Sequence, residues 1–243
     1  MSNQKSYRES HLNKGCDYHN NFMSLPHRAM IWRLEQKILD RILREFFPEK
    51  PLEYLDFACG TGRILEYMVP HVQNAVGVDA SQSMLKVARS NIPDATIIEA
   101  DMTRDDVLAN RKFNLITAFR FFPNAEAGLR SEAMQVLAKH LNDNGYLVFN
   151  NHKNTGSTRN RLARLFGRRG YKGMSIAEAK ALVAENGLEI LKTYHLCVFP
   201  ASEKHMLLPR FFLRHIEGML NRIPVLCNFG ENLVFVCKCT KVK

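Results

Sequence analysis

The sequence predicts an α/β fold: a doubly wound, mainly parallel, seven-stranded sheet with helices on both faces. Three observations predict it. Five short strand-like runs alternate with helical patterns through the middle of the chain, a glycine-containing turn joins the first run to a helix, and two longer strand-like runs close the chain. Strands that alternate with helices at this pitch are typical of βαβ units. The two closing runs favour an antiparallel hairpin at the C-terminal edge.

The N-terminal part is expected to form a lid segment and a helix over residues 1–48. Its polar start, to about Gly15, is followed by apolar residues at helical spacing over residues 25–47, and Pro48 ends that pattern. Residues 49–243 are expected to form the α/β domain, with helical insertions at about 155–173 and 205–223. Arg28 and Trp32 stand one helical turn apart and are candidates for the lid.

The strands and helices of the domain follow in order. The short strand-like runs are "EYLDFA", "NAVGVD", "ATIIEA", "FNLITAF" and "GYLVFNN", and helical patterns include "SQSMLKVARS" and "AEAGLRSEAMQVLAKHL". Ser81 is predicted to cap the first of these helices with its side chain. After the helical "SIAEAKALVAENG", the closing runs "LEILKTYHLCVF" and "ENLVFVCKCT" bracket the helical "LLPRFFLRHIEGMLNRI".

Composition limits the setting and the partners. The 243 residues carry a formal charge of +10, and the pI is near 9.4. This charge suits an anionic partner, or serves solubility alone. The six cysteines show no C-x-x-C pair, which disfavours a zinc site. The start has no apolar signal-peptide core and no apolar run is long enough to cross a membrane, so we expect a reducing cytoplasm.

The glycine turn "LDFACGTGRI" indicates a ligand site. Gly60 and Gly62 let the backbone approach a ligand, and the N-terminus of the following helix favours negative groups. Leu65 occupies the place of the third glycine in a dinucleotide fingerprint, which disfavours NAD. Asp56, directly before the turn, suits a ligand with a cationic amino group. The alternative is a tight strand-to-helix turn without a ligand.

Two further strand ends point to an adenosine ligand. Asp79 ends the second run, where a carboxylate can accept hydrogen bonds from both hydroxyls of a ribose. In "EADM", after the third run, Asp101 can meet an adenine amino group and Met102 can cover the ring. Because three successive strand ends carry such features, adenosine binding is favoured over a turn without a ligand.

These motifs resemble those of the class I S-adenosylmethionine-dependent methyltransferases, over roughly residues 52–151. "LDFACGTGRI" looks like the first motif of that family, "VGVDAS" its ribose-binding acid, "EADM" its adenine site and "FNLITAFRFF" its fourth strand. The subgroup that looks most similar is the bacterial small-molecule methyltransferases. The resemblance implies S-adenosylmethionine as cofactor, with Ala118 or Phe119 near its methionine part. The implied cofactor-binding residues are Asp56, Ala58, Gly60, Gly62, Asp79, Ala80, Asp101, Met102 and Ala118.

Three residues are candidates for catalysis. Arg120 lies among phenylalanines in "FRFFPN", where it either meets an anion or is an arginine that reaches the surface to pair with an acid. His152, in "NNHKN", is a candidate general base or a loop histidine bonded to backbone. Tyr18 and Phe22 are candidates for closing over the cofactor, as aromatics near the N-terminus do in the family; Phe22 is alternatively a core residue.

The most basic stretch covers residues 159–172. Its apolar residues Leu162, Leu165 and Phe166 make a short face beside six arginines and lysines. Such a helix either touches an anionic membrane or phosphorylated substrate, or has a charged, solvated face beside a short core stripe. The sequence favours the core stripe.

The predicted function is methyl transfer to an oxygen or nitrogen of a small-molecule or conjugate acceptor, which the basic residues suggest is anionic. Nucleic acid is disfavoured as acceptor, because "AFRFFPN" departs from the Asn/Asp-Pro-Pro-aromatic motif of base-amine methyltransferases and has no Pro-Cys nucleophile. A membrane-lipid methyltransferase and a non-catalytic module that binds the cofactor stay as alternatives. Neither the acceptor nor the oligomeric state follows from the sequence.

Overall fold

The structure is a computed structural model that describes residues 25–48, 52–168, 170–199, 210–220 and 223–240. The candidates Tyr18 and Phe22 lie outside the described residues. Arg169, in the basic stretch, lies outside them as well. Among the helices that the structure describes, none combines the length and apolar character needed to cross a membrane.

Strands and helices alternate as the sequence predicts. The strands are β1 (Glu53–Phe57), β2 (Asn74–Asp79), β3 (Thr96–Glu99), β4 (Phe113–Ala118), β5 (Leu141–Asn151), β6 (Leu188–Leu196) and β7 (Asn232–Cys239). The α-helices are α1 (Pro26–Phe46), α2 (Arg63–Met68), α3 (Gln82–Asn91), α4 (Ala127–His140), α5 (Thr158–Leu165), α6 (Ile176–Glu185) and α7 (Arg210–Leu220). Short 3₁₀ helices cover Val69–His71 and Pro224–Phe229.

The described strands form one sheet of seven, in the order β3-β2-β1-β4-β5-β7-β6. The first five strands are parallel, and β7 runs antiparallel to both β5 and β6. The predicted doubly wound sheet and its C-terminal antiparallel hairpin are therefore confirmed. The order reverses between β1 and β4, which is where an open α/β sheet opens a crevice beyond its carboxyl ends.

Apolar residues fill both faces of the sheet. On one face a row of rings crosses the strands, with centroids 4.9–5.3 Å apart, formed by Phe57, Phe121, Phe122, Phe149 and Phe235. Such tilted and edge-to-face contacts stabilise beyond the area they bury. The row explains the phenylalanines that follow Arg120 in the sequence, since they pack in the core.

The N-terminal helix α1 covers the other face. Its buried residues Leu39 and Ile42 pack with Tyr54 of β1 and with Leu65 and Met68 of α2. This packing holds α1 against the helix that follows the glycine turn. The predicted helix over residues 25–47 is thus confirmed, and its first turns reach the crevice.

A side-chain cap is present on α6 and absent on α3. α6 begins with a full capping box, in which the Ser175 hydroxyl accepts from the Glu178 N–H and the Glu178 carboxylate accepts from the Ser175 N–H. The predicted side-chain cap by Ser81 on α3 is wrong. The Ser81 hydroxyl lies 3.2 Å from that of Ser83 instead, while the Ser81 N–H donates to Asp79.

The apolar residues of the insertion helix α5 are exposed, contrary to expectation. Leu165 and Phe166 are 77% and 74% exposed, and Leu162 is 37% exposed. The interpretation of these residues as a core stripe is therefore wrong. The helix holds to the domain by its other side, where Asn160 is buried and accepts from the Tyr171 N–H at 3.1 Å.

A fully buried carboxylate ties α1 to the strand ends. Glu35, 0% exposed, accepts from the Arg63 guanidinium at 2.8 Å and from the side-chain amides of Asn232 at 2.9 Å and Asn150 at 3.4 Å. The Arg63 guanidinium also lies over the Trp32 ring at 4.2 Å. We call Glu35, Arg63, Asn150 and Asn232 the Glu35 cluster. It joins α1, α2, β5 and β7, which are distant in sequence.

Replacing Glu35 with alanine is expected to destabilise the fold strongly. The substitution leaves the half-buried Arg63 guanidinium and the buried amides of Asn150 and Asn232 without the carboxylate that accepts from them. Breaking a buried ion pair by removing one partner costs about 3–5 kcal/mol. Urea unfolding of the wild type and the variant measures this cost. The matched control is Glu45→Ala, which breaks the exposed pair with Lys192 and is expected to cost less than about 1 kcal/mol. Equal losses in the two variants would contradict the prediction.

Candidate functional site

A cavity of about 550 Å³ opens at the carboxyl ends of the parallel strands. The loops that follow β1, β2, β3, β4 and β5 all contribute to its wall, as does the first turn of α1. Predicted site residues on the wall are Asp56, Ala58, Gly60, Asp79, Ala80, Asp101, Met102, Arg120 and His152. Gly62 and Ala118 are not on it.

The glycine turn adopts a left-handed backbone at three positions. Ala58 has φ 53°, Gly60 has φ 57° and Gly62 has φ 84°. This conformation turns the chain sharply from β1 into α2, and in Ala58 it is strained. Asp79 fixes the turn, because one carboxylate oxygen accepts from the Gly60 N–H at 2.9 Å and the other from the Ser81 N–H at 2.8 Å.

Gly60 and Gly62 have different structural roles. A Cβ on Gly62 would lie 2.4 Å from Ile92 Cδ1 and 3.3 Å from the Ala88 Cβ of α3, so this glycine allows α2 and α3 to pack closely. A Cβ on Gly60 would meet only the Met84 sulfur, at 3.3 Å, and Gly60 faces the cavity. The prediction that both glycines line the ligand site therefore fits Gly60 alone. At position 62 glycine is favoured by the left-handed backbone, with φ 84°, and by packing against α3.

Asp56 lies at the bottom of the cavity and is 2% exposed. Its Oδ1 accepts from the Thr117 hydroxyl at 2.7 Å, and its buried Oδ2 has no hydrogen-bond partner. Burial raises the pKa of Asp56 to about 7, against the opposing effects of the Thr117 hydrogen bond and the Arg63 charge. A buried carboxylate with an open oxygen is suited to a cationic ligand group.

The remaining cofactor candidates follow β3 and β4, and only some of them face the cavity. Met102 is buried and faces the cavity, and Asp101 beside it accepts from the Thr103 N–H at 3.1 Å. Ala118 is 0% exposed inside β4, so it is a core residue. Phe119, the other residue named for that position, lies on the wall.

Arg120 is held in an uncommon backbone conformation. Its φ is 64°, its N–H donates to Asn150 Oδ1 at 2.6 Å, and its carbonyl accepts from Asn124 Nδ2 at 2.6 Å. A left-handed conformation at a non-glycine residue is kept only where the surroundings impose it. Here Asn150 of the Glu35 cluster and Asn124 impose it and direct the Arg120 side chain to the cavity.

His152 and Lys153 follow β5 on the same wall. Burial lowers the pKa of His152 well below its usual range, and the neighbouring Arg120 and Lys153 charges lower it further. His152 Nδ1 is buried without a hydrogen-bond partner, so the expected backbone hydrogen bond is not made by this atom. The Lys153 ammonium donates to Asn124 Oδ1 at 2.5 Å.

Sequence reasoning missed several wall residues. Among them are Asn124, Lys153, Arg159, Tyr171 and Glu231. Asn124 and Lys153 lie within the quoted motifs "FRFFPN" and "NNHKN", so position alone could have found them. Arg159 and Glu231 pair at 2.9 Å across 72 residues of chain, a contact that no local pattern indicates.

The Asp56 carboxyl is expected to make stability depend on pH. A carboxyl whose pKa is raised by folding stabilises the protein fully below its unfolded pKa of 3.8, and this contribution is lost as pH rises through about 7. Without ligand, the wild type should therefore lose more unfolding free energy between pH 5 and pH 8 than Asp56→Asn does, by on the order of 2 kcal/mol. Urea unfolding at both pH values measures the difference. Parallel pH dependence in the two proteins would contradict it.

Comparison with known proteins shows what this chain is similar to. Residues 55–145 match the methyltransferase domain family. Over 125 residues the chain is 34% identical to a dTDP-3-amino-3,4,6-trideoxy-α-D-glucopyranose N,N-dimethyltransferase from Streptomyces venezuelae, covering 50% of this chain and 51% of that protein. It is 28% identical over 126 residues to a ubiquinone/menaquinone biosynthesis C-methyltransferase from Campylobacter jejuni, covering 49% and 51%. The match thus spans about half the length of these curated relatives.

Solved structures share the fold along nearly the whole chain. A magnesium protoporphyrin IX methyltransferase from Synechocystis, with bound SAH (S-adenosylhomocysteine), superposes with a TM-score of 0.65 at 12% identity, over 95% of this chain and 96% of that one. An S-adenosylmethionine-dependent methyltransferase from Clostridium acetobutylicum superposes with a TM-score of 0.60 at 17% identity, over 92% and 98%. The predicted resemblance is confirmed: residues 55–145 match the methyltransferase domain family, and the chain has the fold of these S-adenosylmethionine-dependent methyltransferases.

Proposed function

We propose that the protein is a methyltransferase that transfers a methyl group from S-adenosylmethionine to an oxygen or nitrogen of a small, anionic acceptor. The observation that carries the proposal is one continuous cavity, which joins the acidic ends of β1, β2 and β3 to the basic ends of β4 and β5. One half has the groups that suit the cofactor. The other half offers room and positive charge for an acceptor beside it.

The described residues fit the cofactor. The open Oδ2 of Asp56 is suited to the ammonium group of the methionine part, and Asp79 is suited to the ribose hydroxyls. Met102, on the cavity wall, is suited to covering the adenine ring, with Asp101 next to it. Asp79 already holds Gly60 and Ser81, so the carboxylate that would bind the ribose also shapes the turn that would lie beneath the ligand.

The protein's part in the reaction is positioning and proton acceptance. When bound, S-adenosylmethionine supplies an activated methyl group that a nucleophile takes by in-line displacement. The wall places the acceptor near that group and keeps water away. His152 is neutral near pH 7, because its pKa is lowered, and its open Nδ1 can take the proton that the acceptor releases.

Two of the alternatives are less well supported. A module that binds the cofactor without chemistry has no need of the histidine and the basic groups beside the cofactor half of the cavity. A nucleic-acid acceptor needs a broad basic surface, whereas these groups lie on the wall of a cavity of about 550 Å³. The named relatives act, by their names, on an amino sugar nucleotide and in quinone biosynthesis, which supports a small acceptor.

Calorimetric titration with S-adenosylhomocysteine, S-adenosylmethionine and NAD tests the cofactor. We expect micromolar binding of the first two, none of NAD, and a loss of at least about tenfold in affinity for Asp79→Ala, because hydrogen bonds to a charged group are the strong ones. The exposed Asp94→Ala is the control of equal charge change. Each variant is first checked by thermal unfolding. Binding of NAD, or equal affinities in both variants, would overturn the cofactor assignment.

We also propose that α5 contacts anionic membrane surfaces. Leu165 and Phe166 project into solvent, and Arg161, Arg164 and Arg168 beside them are exposed. An apolar pair flanked by arginines is typical of a helix that lies in a lipid interface. This contact would bring the cavity close to acceptors that reside in a membrane, which keeps a lipid acceptor as the second candidate.

Vesicle sedimentation tests the membrane contact. The wild type is expected to bind phosphatidylcholine vesicles that contain phosphatidylglycerol, and to bind pure phosphatidylcholine vesicles far less. The double change Leu165→Ser and Phe166→Ser should weaken binding about tenfold or more, since each buried apolar side chain contributes on the order of 1.5–3 kcal/mol. Leu191→Ser, which alters an exposed leucine of β6, is the control. Unchanged vesicle binding by the double variant would refute the membrane contact.

A further inference from the structure

The acceptor half of the cavity is distinguished by its charge. The carboxylates on the wall at the ends of β1, β2 and β3 are Asp56, Asp79 and Asp101. At the ends of β4 and β5 the wall carries Arg120, His152 and Lys153 instead. The wall also holds Arg63, which pairs with Glu35, and the Arg159–Glu231 ion pair, so the contrast is between the side chains at the strand ends.

Lys153 is held by a neutral partner. Its ammonium donates to Asn124 Oδ1 at 2.5 Å, and none of the ion pairs formed by the described residues involves Lys153. The same Asn124 donates from Nδ2 to the Arg120 carbonyl at 2.6 Å. One amide side chain therefore fixes both the backbone of Arg120 and the head of Lys153, and keeps the two basic residues side by side.

Their proximity has an electrostatic cost. The Arg120 charge contributes to lowering the pKa of Lys153 and of His152, after burial, which is the largest cause in each. Positive groups that are close together in a partly buried space repel one another. A bound anion would replace that repulsion with attraction, and the bidentate guanidinium of Arg120 and the ammonium of Lys153 are the groups that bind oxyanions best in proteins.

We propose that Arg120 and Lys153, beside His152, form an oxyanion subsite that takes an acidic group of the methyl acceptor, a phosphate or a carboxylate. The inference rests on the proposed function and deepens it, because it names the chemical class of the acceptor: an amine or alcohol that also carries an acidic group. Asn124 is a positioning residue of this subsite, acting through Arg120 and Lys153.

The test follows the His152 ring signal by NMR during titration with inorganic phosphate and, separately, with acetate, on protein saturated with S-adenosylhomocysteine. His152→Gln identifies the signal among the nine histidines. A saturable shift with phosphate or with acetate is expected, and the tighter of the two identifies the acidic group. Lys153→Met should weaken this binding about tenfold, whereas Lys180→Met, an exposed lysine of α6, should leave it unchanged.

The outcomes distinguish failure of the oxyanion subsite from failure of the proposed function. If S-adenosylhomocysteine binds but neither anion shifts His152, or if both lysine variants bind the anion equally, the subsite is refuted while the proposed function stands. If S-adenosylhomocysteine does not bind, the proposed function fails, and the same titration without it still reports on the subsite. Lys153→Arg is expected to restore anion binding, which a purely structural role of Lys153 would not predict.

Discussion

The buried carboxylate of Glu35 is the constraint on which the site depends. Through Arg63 it fixes the first residue of α2, directly after the glycine turn, and through Asn150 it fixes the backbone of Arg120 after β4. The glycine turn and the Arg120 backbone, on opposite sides of the switch point, are thus both held by one side chain of α1. Since a buried charge is tolerated only when it is paired and hydrogen-bonded, the four members of the Glu35 cluster cannot be changed independently.

The electrostatics of the cavity follow from strand order. Acidic residues end the strands on one side of the switch point, and basic residues end the strands on the other side. In this arrangement Asp56 is buried enough to have a pKa of about 7, while His152, beside like charges, has a pKa below its usual range. The same cause, removal of water, therefore moves the two groups in opposite directions. Each moves toward its neutral form.

The sequence predicted those structural features that depend on residues close together in the chain. The strands, the glycine turn and the acids at strand ends could be predicted because hydrophobic period and turn chemistry are local. The Glu35 cluster could not, because its members lie up to 197 residues apart and only the folded chain brings them together. Gly62 and Leu165 show a subtler limit: the motif and the apolar pattern are visible, but whether a residue faces a ligand, another helix or solvent is decided by tertiary packing. Tyr18 stays a prediction.

The position of β7 has a consequence for biosynthesis. β7 lies between β5 and β6, so the edge strand β6 is joined to the sheet only by its pairing with β7, residues 232–239. While the chain emerges from the ribosome, β5 presents an unpaired edge, and β6 has no partner, until those residues are available. Open strand edges of this kind pair readily with other chains. The interval before β7 appears therefore exposes a nascent chain to aggregation, and a frameshift or stop codon near residue 231 would leave β6 without a partner and β5 with one open edge.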